Sequence, residues 1–163
     1  MLAAEMLPIQ LPQTGKRLLA FVETDGCFAD GVSVATGCSM GHRTLRLIDF
    51  GKVAATFVDT ETGRAIRIAP SPNARVHAAE YAPGAKSRWH SQLEAYQLMP
   101  SAELLIAREV SITLDLAAII GKPGMRITCT ACGEEVLNQR VVMESGQPMC
   151  RSCAGDCYWA PKQ

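Results

Sequence analysis

The chain carries no surplus charge of either sign: sixteen basic residues balance sixteen acidic ones. Phosphate backbones are gripped mainly by excess Lys and Arg, which release counterions on binding, so this balance argues against a general nucleic-acid binder. The N-terminus, MLAAEMLPIQLPQTGKR, has no basic residue ahead of its apolar stretch and no clear cleavage site, and so does not read as a signal peptide. An apolar run of membrane length is missing too. The most apolar late segment, Glu103 to Gly121, is interrupted by Arg108, Glu109 and Asp115. There is no internal repeat and no low-complexity tract. Without export, disulfides are not expected, and the cytoplasm is the expected address.

Against these absences stand seven cysteines in 163 residues. In a chain without export signals they serve as metal ligands, reactive thiols or buried packing groups. The apolar fraction of 48% and charged fraction of 20% are those of a globular protein. A chain of this length buries roughly 70% of its unfolded surface and can build a core without staples.

Two regions separate by composition. Residues 1 to 115 hold apolar, β-branched stretches, whereas residues 127 to 163 hold five of the seven cysteines. A Pro-Gly break at Pro123-Gly124 lies between them. In the first region Leu2 to Leu7 reads as the tail of a helix stopped by Pro8 and Pro12. Leu18 to Val22 is a continuous apolar run of buried-strand length, and Ala29 to Thr36 reads as a short helix closed by Gly37. Leu45 to Phe50, Val53 to Val58 and Arg64 to Ala69 read as strands, the last two joined by a hairpin loop ending in Gly63. The alternation in Ala65-Ile66-Arg67-Ile68 predicts one solvent-facing side. Ser87 can cap a helix whose Trp89, Leu93 and Tyr96 share one face, and Pro100 ends it. Ser101 opens a further short helix through Leu104 and Leu105, and Glu109 to Leu114 alternates as a strand. Strands, then helices, then a strand predict an α+β core with a mostly antiparallel sheet over residues 1–118, followed by a small unit over 125–163.

That small unit holds Cys129-Thr130-Ala131-Cys132-Gly133 and Cys150-Arg151-Ser152-Cys153, with seventeen residues between the pairs. The spacing is that of a four-thiolate zinc site. Two residues between thiolates let one tight turn present both sulfurs to an ion about 2.3 Å away. Gly133 supplies the permissive backbone that follows such a turn. Ser145-Gly146-Gln147-Pro148 reads as a hairpin turn, and the second pair is expected to open a short helix, which completes a treble-clef zinc finger. Four thiolates leave no open coordination position, so the zinc, one per chain, reads as structural. A rubredoxin-like iron site and a redox pair of C-x-x-C motifs are the competing readings. Cys157 reads as a bystander. The charges around the finger, Arg140, Arg151 and Lys162 against Glu134, Glu135, Glu144 and Asp156, do not make a phosphate-binding face.

Cys27 and Cys38 sit beside glycines at element ends, where side chains can converge on a cleft. The competing reading is simple core packing, since free cysteine is among the most buried residue types. Asp25-Gly26-Cys27, Thr36-Gly37-Cys38, Gly51-Lys52-Val53-Ala54-Ala55-Thr56-Phe57 and Gly63-Arg64-Ala65-Ile66-Arg67 occur in this order. Together they resemble the family named for the E subunit of molybdenum- or tungsten-containing formylmethanofuran dehydrogenase. The resemblance covers roughly residues 15 to 155. It implies an α+β core, a C-terminal treble clef, a homodimer, and association with molybdenum or tungsten enzyme subunits in one-carbon metabolism. It also implies a core-cleft site in which Cys27 and Cys38, with Asp25 nearby, hold a second metal or a ligand. Two departures stand out. A G-H-x-C-P-G-like segment that the family places before its first helix is missing ahead of Met1-Leu2-Ala3-Ala4-Glu5. His42-Arg43 also stands where the family more often has a lysine-bearing loop; His42, near Cys38, is a further candidate ligand. His77 and His90 have no partner spacing, and Arg64 and Arg67 read as solvated strand residues. No pterin-binding signature and no ferredoxin-type cluster run occurs, so a catalytic subunit is not expected. The expectation is a metal-binding accessory protein. A small metal-dependent enzyme or metal carrier built on Cys27 and Cys38 is the alternative.

Overall fold

Leu18–Val22 forms strand β1, and all five of its residues are buried. A strand buried on both faces needs cover on both, and the surrounding elements supply it. In the computed structural model, which describes residues 1–121, 124–137, 140–160 and 162, the chain divides into two compact units, Met1–Ile120 and Gly121–Gln163. The Pro123 of the expected break lies outside the described residues.

In the first unit, α1 (Leu2–Met6) precedes β1, and α2 (Cys27–Thr36) links β1 to β2 (Leu45–Leu47). Strands β3 (Ala55–Asp59) and β4 (Ala65–Pro70) form the expected hairpin. Helices α3 (Ala74–Tyr81), α4 (Arg88–Leu98) and α5 (Ser101–Leu104) follow, then β5 (Leu105–Val110) and α6 (Leu116–Ile120). The sheet runs β2-β1-β3-β4-β5, with β1 and β2 parallel and every other pairing antiparallel. This is a mixed α+β fold with an antiparallel-rich sheet. On one face Leu18, Ala20, Phe57 and Ile66 pack against Ala3 and Leu7 of the N-terminal segment and Ala29 and Val32 of α2. On the other face Leu19, Phe21 and Val58 meet Ile112, Leu116, Ile119 and Ile120. No helix among the described residues is long and apolar enough to cross a membrane.

Three expectations need correction. The last strand of this sheet is Leu105–Val110, not Glu109–Leu114, because the backbone of β4 templates it through Pro70↔Leu105 to Ala65↔Val110. Trp89 and Leu93 do not face the core: they are 64% and 49% exposed, and α4 packs on α3 through Ala78, Ala82, Ala95 and Met99 instead. Small residues let two helix backbones approach where Trp would hold them apart. Finally, Arg67 is not a solvated strand residue. Its guanidinium donates to both oxygens of the buried Glu23 carboxylate, at 2.6 and 2.7 Å. Arg64 pairs with Glu109 at the surface.

Glu23 also fixes the loop ahead of β3. Its amide donates to Ala54 O, and its carbonyl accepts from the amides of Phe50 and Lys52. The hydrogen bond from Arg67 holds the Glu23 carboxyl below its ordinary range. Burial alone would raise Asp59, but the Glu61 amide and Arg17 outweigh it and hold that carboxyl low as well. A depressed folded-state pKa contributes stability above the unfolded value of about 4, lost as pH falls through the folded one. Denaturant titrations should therefore show the first unit weakening below about pH 4.5, with Glu23→Gln costing about 2 kcal/mol at neutral pH and flattening that loss. An unchanged profile in Glu23→Gln would show that the pair contributes nothing.

Candidate metal centre

Strand β6 (Arg126–Thr128) leads into the first cysteine pair and β7 (Glu135–Leu137) leads out of it. They pair antiparallel, with Thr128 opposite Glu135. The turn between them is closed by two backbone bonds: Gly133 N donates to Cys129 O at 2.9 Å, and Cys129 N to Glu134 O at 2.9 Å. Gly133 has φ +78°, the left-handed conformation that favours glycine. A second hairpin, β8 (Val142–Glu144) and β9 (Gln147–Met149), delivers the second pair. The two halves are tied by Thr130, whose amide and hydroxyl both donate to Pro148 O. Within the second pair the amide of Cys153 donates to Cys150 Sγ at 3.3 Å.

The result brings Cys129, Cys132, Cys150 and Cys153 together, with their sulfurs all within 4.8 Å of one another. Four sulfurs at about 2.3 Å from one tetrahedral ion stand about 3.8 Å apart, so an ion needs only a small contraction of the cluster. The shortest described approach, Cys132 Sγ to Cys150 Sγ, is already 4.0 Å. Cys129 is the buried member. Amides of Cys150 and Cys132 lower its thiol to about 6, whereas the sulfurs of Cys150 and Cys132 push Cys153 up to about 12. One thiolate is thus stabilised by backbone dipoles, and further negative charge on the cluster is opposed by the neighbouring sulfurs. A cation removes that opposition and displaces the remaining protons.

The helix expected after the second pair does not form. Cys150 O accepts from Ala154 N and Arg151 O from Asp156 N, but residues 151–155 are turns, so the helical part of the expected treble clef is not seen among the described residues. The ion pair of Arg151 with Asp156 closes this segment. Cys157 stays outside the cluster: its thiol donates to Trp159 O and accepts from the Ser152 hydroxyl.

The core cysteines are not brought together. Cys27 begins α2 and Cys38 follows its end at Gly37, which places them about 16 Å apart along the helix axis. Cys27 is exposed, and so are Asp25 and His42. Cys38 is 1% exposed, its thiol directed at Leu18 O, and burial pushes that thiol up. The Thr36-Gly37-Cys38 element is a packing device. Thr36 Oγ donates to Val32 O and accepts from Cys38 N, turning the chain sharply off the helix. Alkylation of the native protein should label Cys27 as an accessible thiol and leave Cys38 protected; rapid labelling of Cys38 would contradict its place in the core.

The fold and this centre define a class: an α+β sheet unit joined to a small four-cysteine knob able to hold a metal ion. Residues 1–106 match the family model described as "FmdE, Molybdenum formylmethanofuran dehydrogenase operon", and the chain belongs to that family. The crystal structure of an FmdE-like protein of the tungsten formylmethanofuran dehydrogenase type, from Syntrophus aciditrophicus, has a similar fold. It matches with a TM-score of 0.57 at 20% identity, over 93% of this chain and 78% of that one. A probable S-adenosyl-L-methionine-binding protein of Archaeoglobus fulgidus is 37% identical over 70 residues. The match covers 41% of this chain but only 19% of that relative's length.

Proposed function

We propose that this chain is an accessory, FmdE-like protein that holds one structural zinc ion and associates with molybdenum or tungsten formylmethanofuran dehydrogenase subunits in cytoplasmic one-carbon metabolism. The observation that carries the metal assignment is the convergence of four cysteine sulfurs within 4.8 Å. A closed set of four thiolates suits zinc in a structural role, with Cys129, Cys132, Cys150 and Cys153 as ligands. When bound, the ion supplies cross-linking of the two hairpins rather than an open coordination position for substrate. Family membership supports the partner assignment. The exposed Trp89 and Leu93 on α4 support a homodimer, since large apolar side chains left at a surface commonly mark an interface.

Co-purification from cells that express the dehydrogenase tests the partner assignment. The tagged native chain is expected to retain dehydrogenase subunits, and a variant unable to hold zinc is expected to lose them. Recovery of the native chain without those subunits at every salt concentration would refute the association.

A further inference from the structure

The first unit contains two adjoining cavities of opposite character. One, of about 550 Å³, is walled mainly by apolar side chains, among them Phe28, Val53, Pro70, Tyr96 and Leu105. The other, of about 440 Å³, lies between α3 and α4 and includes Arg75, Arg88, Ser87 and Ser91. The two share Arg75 and Gln92 in their walls. Each has the volume of a small-molecule site. Neither lining contains an Asp or a Glu.

The arginines set this region apart. Elsewhere in the unit Arg17, Arg64 and Arg67 each lie against a carboxylate. Among the described residues neither Arg75 nor Arg88 makes an ion pair or hydrogen bond, yet both line one cavity. Two like charges on one wall repel unless an anion lies between or beside them. A guanidinium fork matches carboxylate and phosphate oxygens in a bidentate manner. The apolar neighbour has the opposite need: burying apolar atoms there is favourable in proportion to the area removed from water.

We propose that these cavities form one binding groove for an amphiphilic anion, its apolar tail against Phe28, Val53 and Leu105 and its phosphate or carboxylate head at Arg75 and Arg88. The groove lies wholly within residues 28–105 and uses none of the metal-binding cysteines, so it stands or falls independently of the zinc assignment. Charge complementarity selects this occupant over an uncharged chain segment, which would cover the apolar wall and leave both guanidiniums unanswered.

Isothermal titration calorimetry of the full chain provides the test, with decyl phosphate, decanoate, decanol and inorganic phosphate as probes, all below their aggregation concentrations. Decyl phosphate or decanoate should bind at least tenfold more tightly than either decanol or inorganic phosphate. Comparison of the two charged amphiphiles tells which head the arginines prefer. Arg75→Gln and Arg88→Gln, both at exposed positions, should each weaken binding about tenfold, and the exposed Val53→Asp should weaken it through the tail. Equal affinity for decanol, or binding indifferent to all three substitutions, would overturn the proposal. A concentration-dependent doubling of mass that Val53→Asp abolishes and the amphiphiles do not compete with would instead assign the groove to a second copy of the chain.

Discussion

Cys132→Ser should release the zinc ion from the chain and unfold the residues beyond Met125, while the sheet unit keeps its structure. The second unit has three-residue strands and, apart from Cys129, no buried hydrophobic residue among those described. Such a unit cannot offset the entropy of ordering its backbone by apolar burial alone. Apparent binding free energies of structural zinc sites are about 10–16 kcal/mol near neutral pH, and in a unit this small that energy is folding energy. The first unit has its own cores on both sheet faces and no need of the ion. Hydrogen exchange resolves the two outcomes segment by segment. Loss of protection confined to residues after Met125, with zinc lost, is the expected pattern. Zinc content unchanged in Cys132→Ser would remove Cys132 from the ligand set.

Gly37→Ala should be nearly as damaging to the first unit. Gly37 has φ +75°, and a Cβ there would stand 2.4 Å from the carbonyl oxygen of Gln13 and 3.1 Å from Pro12 Cβ. The nearest obstacle is backbone, which cannot swing aside as a flexible side chain would. The chain is held there by the bond from Gln13 N to Thr36 O, at 2.8 Å. Strained conformation and collision together should cost about 3 kcal/mol, or about 10 °C in Tm. Gly31 provides the contrast within the same helix. A Cβ at Gly31 meets nothing within 4 Å, so Gly31→Ala should stabilise by about 0.5–1 kcal/mol through helix propensity. Thermal unfolding of both variants checks the pair. Equal shifts of the same sign would show that close approach at Gly37 does not matter.

The contrast between these sites explains what could be read from sequence. Each cysteine pair of the metal centre lies within four residues, and the hairpin turn between the pairs is marked by Ser145-Gly146, so local spacing was enough to find it. Strand β1 was equally legible, because burial on both faces writes an unbroken apolar run. The Thr36-Gly37-Cys38 element was not legible. Its glycine answers a contact with Gln13, 24 residues earlier, and its cysteine answers Leu18, so both resemble a cleft motif until the neighbours are placed. The Glu23–Arg67 pair is hidden for the same reason, because its partners lie 44 residues apart. The displaced β5 arose from local pattern as well. Glu109 to Leu114 alternates, but Leu105 to Val110 is what β4 can pair, and pairing across strands overrides alternation along one. On α4 the large apolar residues drew attention to the wrong face, since close helix packing selects Ala78 and Ala95 over Trp89 and Leu93.

Elemental analysis of the native chain, purified without added metal and dialysed against a weak chelator, tests the central claim most directly. Zinc at one equivalent per chain is the predicted result. A chain that carries no metal after this treatment, or one that carries iron in place of zinc, would contradict it.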